Sequence, residues 1–336
     1  MRIKLSLTLG KFPQTRLRRN RKDAWCRDLV AETRLSVKDL VWPIFVCEDN
    51  HPRAIDPLPG VVRYSLEELK KVAEFALKSG IPAIDLFSAT PQEKKCSEGL
   101  EALNPCNLQT QAVQMLKSEF PELGIMTDIA LDAYTSHGHD GVLRGNDVAN
   151  DETSEILSKM AVMHAEAGVD VIAPSDMMDG RIGTIRHALD RAGFQHVRIL
   201  AYSAKYASAF YGPFRDALGS APSLGKGDKK TYQMDPANLQ EALREAAQDI
   251  QEGADMIMVK PGLPYLDVIR KFKDTFHMPI FAYHVSGEYA MLKAAAQNGW
   301  LDYNRALLET MIAFKRAGAD GILTYAAPEI VKLLKD

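Results

Sequence analysis

From residue 40 onward, short apolar runs alternate with polar loops and amphipathic stretches, and the rhythm repeats to the end of the chain. The runs at residues 40–46, 83–87, 124–131, 171–174, 198–204, 256–259, 280–283 and 321–325 predict strands. Most are apolar without alternation, as expected where a parallel strand is covered on both faces. The stretches between them carry helix punctuation. Ser65-Leu66-Glu67-Glu68 reads as a capping box, and Asp235-Pro236 reads as an N-cap followed by proline at the first helical position. Gly80, Gly168, Gly253 and Gly318 stand where helices should stop. Over residues 236–252, Leu239, Leu243, Ala246 and Ile250 form one apolar stripe. Repeated βα units on one chain predict an α/β protein, a (β/α)8 TIM barrel over residues 35–336. An open doubly wound sheet would more often carry GxGxxG after its first strand, and none is present there.

Residues 1–34 break the rhythm. Thr15-Arg16-Leu17-Arg18-Arg19-Asn20-Arg21-Lys22 is basic without periodicity, yet Trp25, Leu29 and Val30 follow it. A solvated tail has little use for such apolar residues, so this segment is expected to be an extended arm that packs on a neighbouring subunit.

Composition narrows the class of function. With 336 residues, 46% hydrophobic and 25% charged, the chain is an ordinary globular protein. A net charge of −3 and a pI near 6.3 give no global attraction to nucleic acid or anionic membranes, and neither is expected as a partner. Cys26, Cys47, Cys96 and Cys106 show no CxxC spacing, which argues against a disulfide framework or cysteine-rich zinc site. Residues 1–10 alternate polar with apolar and lack a signal-peptide core, so a cytoplasmic protein is expected.

The chemistry concentrates where strands end, which in a barrel is the catalytic face. Met256-Ile257-Met258-Val259 delivers Lys260 into the end of a buried strand, and Val197 to Ala204 does the same for Lys205. Desolvation and a second nearby cation both favour the neutral, nucleophilic amine, which forms a Schiff base with a ketone or aldehyde. Asp85, Asp128, Asp132, Ser175, Asp176, Tyr283, Ser286 and Tyr325 fall at the same mouth. Residues 206–234 form one long connection, of the kind used as a lid. Its tip from Ser220 to Lys230 is glycine-rich and basic but fails the phosphate-loop pattern, so Arg215 and the tip's lysines suit a substrate carboxylate better. The run from Asp128 to Gly141 is rich in Asp and His but matches no closed zinc site.

These residues resemble the porphobilinogen synthase (5-aminolevulinate dehydratase) family over nearly the whole chain. The resemblance rests on SAKYASAFYGPFRDA around Lys205, MVKPGLPYLD around Lys260, APSDMMDGRIG, YHVSGEYAM and DIALDAYTSHGHDG. It implies condensation of two 5-aminolevulinate molecules to porphobilinogen with loss of two waters, through lysine Schiff bases, in tetrapyrrole biosynthesis. Lys260 resembles the lysine for the propionate-side substrate, with Ser286 and Tyr325 on its carboxylate and Asp128 and Ser175 on its amino group. Lys205 resembles the lysine for the acetate-side substrate, with Arg215, Lys229 and Gln233 on that carboxylate. Where zinc-dependent members carry cysteines, this chain has Ala130, Asp132 and Asp140, so no active-site zinc is expected. Asp132 and Asp140 could hold a harder ion or none. Glu245, off the apolar stripe, resembles the ligand of an allosteric Mg²⁺, and the resemblance implies a homo-octamer built from dimers. A class I aldolase-like barrel would share one lysine but have no use for the second and its clamp. An inactive barrel scaffold would be expected to have lost a lysine or a lid cation.

Overall fold

The computed structural model describes residues 10–48, 53–218 and 228–335. The alternating segment at residues 1–9 and residues 220–227 of the lid tip lie outside the described residues. Two compact units are present, Met1–Arg34 and Leu35–Asp336.

In the first unit the basic run forms a 3₁₀ segment, Leu17–Arg21, followed by a short helix, Ala24–Leu29. Neither element buries a residue. Phe12, Leu17, Trp25 and Leu29 are 75%, 74%, 67% and 71% exposed, an amount of bare apolar surface that water does not favour.

The second unit contains strands β1 (Leu40–Val46), β2 (Arg63–Tyr64), β3 (Ala83–Ser88), β4 (Gly124–Ile129), β5 (Leu143–Arg144), β6 (Asp147–Val148), β7 (Val171–Pro174), β8 (Arg198–Lys205), β9 (Met256–Lys260), β10 (Ile280–His284) and β11 (Gly321–Thr324). The parallel order β1-β3-β4-β7-β8-β9-β10-β11 closes on itself, because Leu40 and Val41 of β1 pair with Ile322 and Leu323 of β11. This is the predicted (β/α)8 barrel. All seven residues of β1 are buried, since its inner face meets the barrel interior and its outer face meets helices.

The helices obey their punctuation. In Leu66–Ser79, Leu69, Val72, Ala73 and Ala76 point inward, and both hydrogen bonds of the Ser65–Glu68 capping box are made. Gly80, Gly168, Gly253 and Gly318 all have positive φ. At Gly253 a Cβ would also lie 2.8 Å from the Arg186 side chain, so both backbone angle and space require glycine.

Two boundaries differ from the sequence reading. The helix expected over residues 236–252 begins only at Gln240. Met234 is drawn into the barrel mouth by backbone hydrogen bonds to Lys205 and Ala207, and Asp235 then caps a turn through Ala237 N instead of a helix. Of the predicted stripe only Ala246 is fully buried; Ala242 and Asp249 share that face, while Leu239, Leu243 and Ile250 are half-buried against the core. β4 stops at Ile129 rather than residue 131, because Leu131 N turns away to donate to Asp140 O.

Candidate active site

β8 and β9 run in register through Leu200–Met256 and Ala201–Ile257, then resume at Ala204–Val259 and Lys205–Lys260. Tyr202 and Ser203 therefore oppose Met258 alone, a one-residue bulge. Because strand side chains alternate between faces, one extra residue changes which side chains meet beyond it. Lys205 thus becomes the direct neighbour of Lys260 at the C-terminal mouth, and both are at least 95% buried.

Lys260 Nζ stands among aromatic rings, 4.5 Å from the centroid of Tyr283, 4.8 Å from Phe214, 5.0 Å from Tyr202 and 5.6 Å from Tyr211. Desolvation in this cage, with the Lys205 charge, pushes its pKa down to about 7. Lys205 sits in polar surroundings instead: its Nζ donates to the Ser175 carbonyl, lies 3.4 Å from Ser175 Oγ and pairs with Asp140 at 3.5 Å.

The carboxylates are arranged around these amines. Burial, reinforced by Asp132, raises Asp128 to about 7, although Lys205 and Lys260 pull the other way. For Asp140 burial also opposes ionisation, but Lys205 and Lys229 outweigh it and hold the carboxyl down at about 2. Lys229 Nζ lies 2.9 Å from Asp140 and 3.2 Å from Asp132. The two carboxylates read as able to hold an ion are thus paired with a lysine ammonium from the lid connection. Asp132, Ser175, Lys205, Arg215, Lys229, Gln233 and Lys260 line one narrow cavity with Tyr211 and Phe214.

The lid's first half is the helix Gly212–Leu218, which carries Phe214 and Arg215. Its start is pinned by Ser286, whose Oγ accepts from Phe214 N at 3.0 Å. Its end is held by cations: Arg63 donates to the Asp216 and Ala217 carbonyls at 2.7 Å each, and Lys95 to Leu218 O at 3.3 Å. Such bonds satisfy carbonyls that a helix end leaves without partners. Glu288 joins two mouth loops, accepting from Leu263 N at 2.5 Å and Val285 N at 2.6 Å. Burial lifts its carboxyl to about 8 against those bonds. Tyr325 Oη is 3.2 Å from Tyr283 Oη, which connects it to the Lys260 cage from behind.

Glu245 is the predicted site residue set apart. It is half-buried in a second cleft with Asp147, Asp179, Lys230 and Glu241. Burial raises its pKa and Arg181 opposes the rise. Arg181 is itself buried between Asp249, at 3.1 Å, and Asp176, at 3.5 Å. Among the described residues no three His, Cys, Asp or Glu side chains converge as a metal-binding group.

The sequence reading missed the cage residues Tyr202, Tyr211 and Phe214, the lid anchors Arg63 and Lys95, and Glu288. Tyr211 and Phe214 lie in the lid motif around Lys205 and Glu288 in the YHVSGEYAM motif, which were usable signals; Arg63 and Lys95 act on backbone far away in sequence and left none.

A family model described as "Delta-aminolevulinic acid dehydratase" matches residues 14–333. A protein of that name from Bradyrhizobium diazoefficiens is 58% identical over 321 residues, covering 95% of this chain and 91% of its own. One from Rhodobacter capsulatus is 52% identical over 331 residues, covering 98% and 99%. The crystal structure of delta-aminolevulinic acid dehydratase (porphobilinogen synthase) from Toxoplasma gondii, in complex with the reaction product porphobilinogen, superposes with a TM-score of 0.93 at 49% identity. The match covers 95% of this chain and 91% of that one.

Proposed function

The chain belongs to the delta-aminolevulinic acid dehydratase family, and from that premise we propose how its residues divide the work of the reaction. The enzyme is a hydro-lyase of tetrapyrrole biosynthesis that condenses two 5-aminolevulinate molecules to porphobilinogen with loss of two waters. Each substrate has one ketone and one carboxylate, so asymmetric condensation calls for two amines and two carboxylate clamps.

The observation that carries the assignment is the Lys205–Lys260 pair at the mouth of β8 and β9. Lys260 attacks the propionate-side ketone, since its cage makes the neutral amine available near pH 7. The Ser286 and Tyr325 hydroxyls receive that substrate's carboxylate, and Asp128 with Ser175 orients its amino group. Lys205 takes the acetate-side ketone, with Arg215, Lys229 and Gln233 on its carboxylate. For Lys229 this means giving up part of its pairing with Asp132 and Asp140 when substrate enters.

No active-site zinc is part of this reading, because Ala130, Asp132 and Asp140 supply no thiolate. Glu245 is read as the ligand of an allosteric Mg²⁺. A half-buried carboxylate beside Asp147, Asp179 and Glu241 suits an ion that keeps most of its waters and is held by one or two carboxylates. The bare apolar residues of Met1–Arg34 support an arm that packs on another copy, in a homo-octamer of dimers. A cytoplasmic location belongs to the same reading; no described helix is long and apolar enough to cross a membrane.

The deciding experiment incubates the purified protein with 5-aminolevulinate alone and assays for a pyrrole with an acidic aldehyde reagent. Borohydride added during turnover should leave a reduced adduct on Lys260, Lys205 or both. Adducts confined to surface lysines would remove the double-lysine assignment.

A further inference from the structure

Asp85 lies on β3 between Pro43 of β1 and Met126 of β4, with no exposed surface. Neither of its carboxyl oxygens makes a hydrogen bond of ordinary geometry, and the Tyr202 hydroxyl is the donor close enough to stabilise the carboxylate weakly. An isolated carboxylate in such a place is among the costliest groups a protein can bury, so Asp85 stays a neutral acid unless a cation answers it.

The groups that act on it come from four other strands. They are Asp128 on β4, the Tyr202 hydroxyl on β8, Lys260 on β9, and Tyr283 on β10 with Tyr325 just beyond β11. The Tyr202 hydroxyl also lacks an ordinary hydrogen bond, although its ring packs 5.0 Å from Lys260 Nζ. The cation in this set is Lys260. Burial keeps the Asp85 proton on, Asp128 reinforces that, and Lys260 opposes it.

We infer that Asp85 is a positioning residue for the charge on Lys260, a neutral acid while that nitrogen is a free amine and a carboxylate while it is an iminium. The inference rests on the Schiff-base role assigned to Lys260 above and adds the source of the proton. Iminium formation joins the Lys260 nitrogen to the ketone carbon, breaks the carbon–oxygen bond and consumes one proton as water leaves. With Asp85 the balance closes inside the barrel: amine, ketone and carboxylic acid become iminium, carboxylate and water. No net charge enters the desolvated site, and the iminium gains a buried counter-ion. Asp128 does not replace it, because Asp128 is shared with Lys205 and is assigned to the substrate's amino group.

The test compares the parent with Asp85→Asn and Asp85→Ala. Each is incubated with 5-aminolevulinate and trapped with cyanoborohydride at a series of pH values from roughly 6.5 to roughly 8.5, and the adducts are quantified by peptide mass spectrometry. In a variant the proton must come from solvent. The variant-to-parent ratio of Lys260 adduct should then fall as pH rises, toward a limit of about tenfold per pH unit, while the ratio at Lys205 stays level. The Lys205 adduct also reports that the variant site is folded. A Lys260 ratio independent of pH would overturn the inference and leave the Schiff-base assignment standing. No Lys260 adduct in the parent would overturn both. Should neither variant fold, calorimetry of the parent with levulinate, a 4-oxo acid that has the ketone and carboxylate but no amine and so cannot go on to condense, in buffers of different ionisation enthalpy decides the matter. Adduct formation without net proton uptake supports Asp85, and uptake of about one proton per Lys260 adduct overturns it.

Discussion

Lys205 faces Lys260 because β8 holds one residue more than β9 between the pairs Ala201–Ile257 and Ala204–Val259. With the register continued from Ala201 without the bulge, Ala204 would stand opposite Lys260. The bulge therefore makes a two-amine site from two strands that each carry one lysine. It also gives the amines different surroundings, an aromatic cage for Lys260 and the Ser175–Asp140 edge for Lys205.

Replacing Lys260 by Met is expected to reduce turnover by at least about three orders of magnitude, because the covalent route is removed rather than weakened. Single-turnover trapping should still give a Lys205 adduct in that variant. Turnover within tenfold of the parent would show that the Lys260 amine is dispensable.

The pH dependence of kcat/KM should contain an acid limb near pH 7. Lys260 must be neutral to attack, burial and Lys205 lower its pKa to about 7, and protonation below that value removes the nucleophile. An ordinary lysine would place the limb above about pH 10. The check is a rate profile at low substrate from pH 5.5 to 9, with enzyme stability verified at each point.

Arg215→Ala should raise KM by roughly tenfold to a hundredfold, the cost of one charge-assisted bond to a carboxylate. Lys229→Ala should do more. Besides weakening the clamp it leaves Asp132 and Asp140 facing each other without the ammonium between them, a loss of about 3–5 kcal/mol when a buried pair is broken. Steady-state kinetics and urea midpoints separate the two effects; an Arg215→Ala enzyme with unchanged KM would remove Arg215 from the clamp.

Acid should destabilise the barrel through His164 and His284. Each is fully buried, each has its Nδ1 3.0 Å from a threonine hydroxyl, Thr127 or Thr324, and each is lowered to about 3 by desolvation. In the unfolded chain they titrate near 6.5, so above that pH neither state is charged and nothing is lost. As pH falls from 6.5 toward 3 the unfolded state takes up protons that the folded state refuses, and stability declines. At pH 5 the loss is about 2 kcal/mol per histidine. Urea midpoints at pH 7 and pH 5 should drop further for the parent than for His284→Gln.

Millimolar Mg²⁺ is expected to raise activity and favour the larger assembly, with Glu245→Ala abolishing the stimulation but leaving Schiff-base trapping intact. Sedimentation and activity on both proteins, with and without Mg²⁺, provide the measurement. Equal stimulation of both would remove Glu245 as the site.

Much of this was legible along the chain. Apolar runs, capping residues and stop glycines define elements through contacts within a few residues of each other, so the strand positions, the Ser65 cap and the barrel could be read from local pattern. The two lysines were visible for the same reason, each at the end of its own run. The bulge that makes them neighbours was not, because register is a relation between strands more than fifty residues apart. The ammonium between Asp132 and Asp140 likewise depends on where the barrel places Lys229, and the helix expected from residue 236 starts only at Gln240 because Lys205 and Ala207 hold the Met234 backbone in the barrel mouth. Asp85 read as one more polar residue at a strand end. Only closure of the barrel sealed it from water without an ordinary hydrogen bond and within the electrostatic reach of Lys260, since desolvation is a property of everything packed around a group and not of the residues beside it in sequence.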